Sequence, residues 1–117
     1  MDYSELIARL ESAGLHTSLQ IDRLVCATHG GAWGIGGVSF WLLLKEGRWF
    51  IASWAPRVYE IPETADVFEL VRDALLTTPA ERSHLVDESV QRKHSLRELS
   101  PQEVAEFLAD SPTPDDS

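Results

Sequence analysis

Val38 to Trp54 reads VSFWLLLKEGRWFIASW, two runs of bulky apolar and aromatic residues flanking Glu46-Gly47. β-formers on either side of a glycine-containing dipeptide mark a two-residue hairpin. With that turn, Lys45 faces Arg48. The pairs continue as Leu44 with Trp49, Leu43 with Phe50, Leu42 with Ile51, Trp41 with Ala52 and Phe40 with Ser53. Side chains alternate across a sheet, so one face holds Phe40, Leu42, Leu44, Trp49 and Ile51, and the other holds Trp41, Leu43, Phe50, Ala52 and Trp54.

Both faces are apolar, whereas a sheet with one face in water alternates apolar with polar residues. Each face therefore needs a cover: helices on both sides, or helices on one side and a protein on the other. Trp41, Phe50 and Trp54 together represent roughly 450 to 750 Å² of aromatic surface, as much as the largest apolar patch of a typical monomer. A self-complementary patch of that size favours a homodimer, which makes these three residues the candidate protein interface.

Outward from the hairpin the elements are shorter. Tyr3 to Ala13 has Leu6, Ile7 and Leu10 at helical spacing, with Ser4 as cap and Gly14 at the stop. Leu15 to Thr28 alternates as a strand, then changes phase at Asp22-Arg23, where a turn or bulge is expected. After Pro56, RVYEIP resumes as an edge segment or a short further strand. Thr64 caps a helix from Ala65 to about Leu76. TPAE (78–81) and SPQE (100–103) each place proline and glutamate behind a hydroxyl cap, so each should open a helix. The second should run from Pro101 to about Ala109, and the end of the first is ragged, with HSLREL as helix or short strand. The expectation is an α+β fold: an antiparallel sheet of three to five strands, an N-terminal helix, and two or three C-terminal helices packed on it. Residues 1–110 form one domain and 111–117, with two prolines and three acids in DSPTPDDS (110–117), a disordered tail.

The chain has 117 residues and a formal charge of -9, which falls as -1 on residues 1–60 and -8 on 61–117. Phosphate backbones and anionic membrane surfaces would repel it, so neither nucleic acid nor membrane is an expected partner. The start MDYSELIARL lacks a signal peptide's basic and apolar run, and FWLLL is too short to span a bilayer, so a cytoplasmic protein is expected. Cys26 is the lone cysteine and reads as a small buried hydrophobe.

THGGAWGIGG (28–37) invites a chemical reading. A phosphate loop needs a helix directly after it, and this one feeds a strand and lacks the lysine of a P-loop. His-Gly-Gly suggests an oxyanion segment, but the sequence contains no G-x-S-x-G nucleophile elbow. His16, His29, His84 and His94 have no metal-ligand spacing. Neither a catalytic residue, a metal nor a cofactor is expected, and the glycines are read as letting a β-connection turn sharply.

The run GRWFIASWAPRVYEIPETADVFEL (47–70), with the upstream THGG, resembles a segment of small, functionally uncharacterised bacterial α+β proteins. That resemblance implies no activity. The order helix, strands, helix is also similar to secretion-chaperone folds, a likeness at the level of fold. The leading expectation is a non-enzymatic protein-binding module, immunity-like, chaperone-like or an adaptor, that meets another protein or itself. The alternative is a small-molecule binder or enzyme with a pocket near the glycine loop, where Arg57 and Tyr59 would hold an anionic ligand, His29 would serve as acid or base, and Trp33 is a further ligand-binding candidate.

Overall fold

The computed structural model describes residues 2–21, 23–28, 38–53, 57–79 and 85–109. The hairpin forms in the expected register: β3 (Ser39–Lys45) runs antiparallel to β4 (Arg48–Ala52), with Lys45 opposite Arg48 and Trp41 opposite Ala52. Glu46 and Gly47 adopt φ of 52° and 76°, the left-handed turn whose twist matches that of the strands. Gly47 tolerates this freely, while the Cβ of Glu46 is strained there.

Among the described residues the sheet has six strands, not three to five, in the meander order β1-β2-β3-β4-β5-β6. The remaining strands are β1 (His16–Leu19), β2 (Leu24–Ala27), β5 (Val58–Glu60) and β6 (Arg97–Glu98). The extra strands have clear origins. The phase change near Asp22-Arg23 is a full reversal, in which Gln20 N–H donates to the Arg23 carbonyl at 2.7 Å, so one stretch supplies both β1 and β2. HSLREL contributes Arg97 and Glu98 as a strand beside β5, which makes RVYEIP interior rather than an edge.

Two helix caps also differ from expectation. Asp2, not Ser4, caps α1 (Tyr3–Ser12), its Oδ1 accepting from Glu5 N–H at 2.9 Å. Asp66, not Thr64, caps α2 (Val67–Thr77) through Glu69 N–H at 3.1 Å. In both, a carboxylate satisfies an amide of the first turn and complements the helix dipole. α1 ends in a Schellman arrangement, with Leu15 N–H on the Leu10 carbonyl and Gly14 at φ 85°. The helix expected from TPAE falls largely on residues outside the described ones. α3 (Glu88–Lys93) begins later, capped by Asp87. α4 (Pro101–Ala109) covers the span expected for it.

α1, α2 and α3 pack on one face. Leu6 and Leu10 of α1, Leu70, Val71 and Ala74 of α2 and Val90 of α3 bury Leu24, Cys26, Phe40, Leu42, Ile51 and Tyr59 of the sheet. Fully burying each large aliphatic side chain contributes about 1.5 to 3 kcal/mol. Tyr3 adds an edge-on contact with Trp49, ring centroids 5.3 Å apart, and its hydroxyl accepts from Leu44 N–H at 2.8 Å.

Candidate interaction site

The second face carries Trp41 and Phe50 as expected, and α4 lies over its centre. Phe107 reaches within 4.8 Å of the Phe50 ring, and Leu43, Ala52, Val58 and Leu99 complete the cluster, with Trp41 and Val104 packed against it. Phe50 thus meets a helix of its own chain. Trp41 is half-buried, with the Arg23 guanidinium 4.1 Å above its ring. Trp54 lies outside the described residues.

The sequence around α4 explains its placement. Ser100 and Glu103 form the capping box announced by SPQE: Glu103 N–H donates to Ser100 Oγ at 3.2 Å, and Ser100 N–H to Glu103 Oε1 at 2.9 Å. The Ser100 amide, and then Arg97, hold the Glu103 carboxyl below its ordinary range. Arg97 bridges Glu103 at 3.0 Å to Glu60 at 2.8 Å, and Arg48 also pairs with Glu60. At the far end, Lys45 Nζ donates to the Phe107 carbonyl at 2.8 Å and sits 4.1 Å over its ring.

Of the residues nominated for ligand binding, His29 and Trp33 lie outside the described ones. Arg57 is exposed and faces Glu98 at 3.4 Å. Tyr59 is fully buried in the first core, and among the described residues its hydroxyl meets no hydrogen-bond partner. Burial, then the nearby Glu98 charge, pushes the phenol upward. Arg57 and the Val86 backbone act in the opposite direction and do not prevail. The structure therefore associates Arg57 with Tyr59 but places the tyrosine in the core. Cys26 is buried, which raises its thiol to about 12 and leaves it a poor nucleophile.

One constellation escaped the sequence reading. His94 Nε2 and Lys93 Nζ each approach Asp73 Oδ2 at 2.9 Å, joining α3 to α2, and the His94 side chain is 7% exposed. Burial alone would raise the Asp73 carboxyl. Hydrogen bonds from His94 and Lys93, with their charges, outweigh it and hold the group low. The spacing in sequence, 21 residues between Asp73 and His94, carried no motif. Among the described residues, no three His, Cys, Asp or Glu gather as a metal site.

The two edges of the sheet differ more than its faces. β6 is two residues long, both charged, and both tied into ion pairs with Glu60, Glu103 and Arg57. Such short, charged edges resist pairing with another chain. β1 has no charged residue and no proline, and its outer side pairs with no described strand. The Gln20–Arg23 bond makes that a hydrogen-bonded pair, and antiparallel ladders alternate. Ser18–Val25 and His16–Ala27 are therefore the next bonded pairs, and the N–H and C=O of Thr17 and Leu19 point away from β2. At the end of this edge, Leu19 is 56% and Ile21 91% exposed. A signal was present in the sequence: residues 12–21 contain no Lys, Arg, Asp or Glu.

No described helix is long and apolar enough to cross a membrane. Compared with known proteins, the chain matches no family model, no curated protein and no solved structure.

Proposed function

We propose that the protein is a non-enzymatic protein-binding module of the cytoplasm, an immunity-like, chaperone-like or adaptor protein, which takes a polypeptide partner along β1. The observation that carries this reading is the open, uncharged edge with Leu19 and Ile21 exposed beside it. Main-chain groups of Thr17 and Leu19 supply affinity for an added strand, and Leu19 and Ile21 supply apolar contact. The acidic balance speaks against nucleic acid or an anionic membrane as that partner. A photo-crosslinking residue at Leu19, introduced into the protein in its native cells, should capture a polypeptide. The same residue at Glu106, on the exposed side of α4, should not. Equal labelling at the two positions would refute the proposal.

A second reading is a binder of small anionic molecules near β5. It is favoured by the buried Tyr59 hydroxyl, unpartnered among the described residues, in the field of Arg57. Chemical-shift changes confined to β5 on adding a series of small carboxylates and phosphates would support it. An unchanged spectrum at millimolar concentration would refute it.

A further inference from the structure

We propose that the occupant of the β1 edge is a second copy of this chain, paired antiparallel about a two-fold axis through Ser18, so that two six-stranded sheets continue into one. This rests on the protein-binding reading and names its partner.

The register follows from the backbone. Only Thr17 and Leu19 aim both N–H and C=O outward from β1, by the alternation that the Gln20–Arg23 bond sets. An axis at Ser18 places Thr17 opposite Leu19 of the other copy, twice, giving four hydrogen bonds in which each outward group is used. An axis at Thr17 would ask Leu15 to donate, but its N–H is held by the Leu10 carbonyl at 3.0 Å. An axis at Leu19 would pair Thr17 with Ile21, which lies beyond the strand. An axis between residues would set outward groups against inward ones and opposite faces against each other. In the Ser18 register, Thr17 and Leu19 share the helix-covered face, because they sit opposite Cys26 and Leu24. Each exposed Leu19 then packs beside the other copy's Thr17.

The strand itself selects no partner by charge, so the self-complementary register is what favours a copy. Each chain carries -9, of which -8 lies on residues 61–117, while residues 12–21 carry no Lys, Arg, Asp or Glu. Glu11, which accepts from Thr17 Oγ1 at 2.9 Å, brings one carboxylate from each copy beside the contact, and the strand itself carries no charge by which to select an oppositely charged partner. A four-residue strand pair is at the small end of specific interfaces, so association should be weak and rise with concentration.

The test is covalent trapping on the full, purified chain. Ser18 pairs with itself at a non-hydrogen-bonded position, where Cα atoms are about 4.5 Å apart, within the roughly 4.4 to 6.8 Å that a disulfide spans. Ser18→Cys should oxidise to a linked dimer at least tenfold faster than Gln102→Cys on the exposed side of α4. Buried Cys26 should stay silent in both. Thr17→Pro removes an outward N–H that β2 does not use, and added to Ser18→Cys it should cut trapping at least tenfold with the circular dichroism unchanged. Should that variant lose its dichroism, Leu19→Lys at an exposed position serves the same purpose. Trapping of Ser18→Cys no faster than Gln102→Cys, or unaffected by the blocking substitution, overturns self-pairing. If the Leu19 photo-crosslink nevertheless captures a different polypeptide, the protein-binding reading stands and only the copy is wrong. If it captures nothing, both fall.

Discussion

The two faces of the sheet are covered by the same device, helices carrying apolar side chains, but by three helices on one and a single helix on the other. On the first, α1, α2 and α3 bury one continuous core that includes Leu42, Ile51 and Tyr59 with no measurable exposure. On the second, a nine-residue helix near the end of the chain covers Leu43, Phe50, Ala52 and Val58, with Phe107 as its principal contact. α4 is held at its two ends by polar groups, the Arg97–Glu103 pair and the Lys45 bond to the Phe107 carbonyl. From this difference we expect cover and core to be separable: α4 should open as a lid without unfolding the first face.

The largest expected effect breaks the face covered by three helices. Leu42→Ala should lower global stability by about 2 to 5 kcal/mol, the range for deleting a large aliphatic side chain from a packed core, with helix signal and Trp49 fluorescence lost together on denaturation. Phe107→Ala should cost less, about 1 to 3 kcal/mol, because the penalty is capped by the free energy of undocking α4. Hydrogen exchange separates the cases: in Phe107→Ala the α4 amides should lose protection while those of α1 and α2 keep theirs. Loss of protection throughout would show that both faces form one cooperative unit.

Why one face was more legible than the other has a physical basis. The hairpin pairs could be counted outward from Glu46-Gly47 because a period of two and a tight turn leave one register that keeps the faces apolar, and all the pairs from Lys45–Arg48 to Trp41–Ala52 form. The capping box at Ser100 announced α4. What covers Phe50 was not legible: the contact with Phe107 spans 57 positions, and no local pattern encodes it. The charge-free run that becomes the open edge was visible, but only the sheet order turns it into a site. The caps at Asp2 and Asp66 were misplaced because neighbouring Ser4 and Thr64 are equally competent by residue type, and only the path of the chain chooses between them.

A third perturbation sharpens the contrast between buried and exposed fastenings. Asp73→Asn weakens the tie between α2 and α3 and should cost about 1 to 2 kcal/mol, since it disturbs hydrogen bonds to a largely buried His94. The wild-type carboxyl is depressed in the folded state, so its contribution is fully present above the ordinary aspartate range and is lost as pH falls through the lower folded value. As pH falls below about 4 the gap in melting temperature between wild type and Asp73→Asn should therefore begin to close, and it should vanish only below the lower folded value. The Arg97–Glu103 pair on the exposed side should respond chiefly to salt: Arg97→Gln should matter little at high ionic strength. A gap between wild type and Asp73→Asn that stays constant down to pH 2 would remove the charged aspartate from the account.

The smallest effect comes from the turn that both faces share. Glu46 holds φ at 52° with a Cβ that clashes there, and nothing else in the two-residue turn requires a glutamate. Asparagine tolerates the left-handed region and is the preferred partner of glycine in this turn. Glu46→Asn should therefore stabilise the protein by about 0.5 to 1 kcal/mol, chiefly by relieving local strain. Because β3 and β4 contribute to both clusters, the gain should be read identically by Trp49 on one face and by α4 undocking measured from the globally unfolded state on the other. The free energy of opening α4 from the native state should not change, since the turn is intact in both the closed and the opened forms. A Glu46→Asn variant that also protects the α4 amides against local opening would show that the hairpin tip and the lid move together, and would end the separation between the faces.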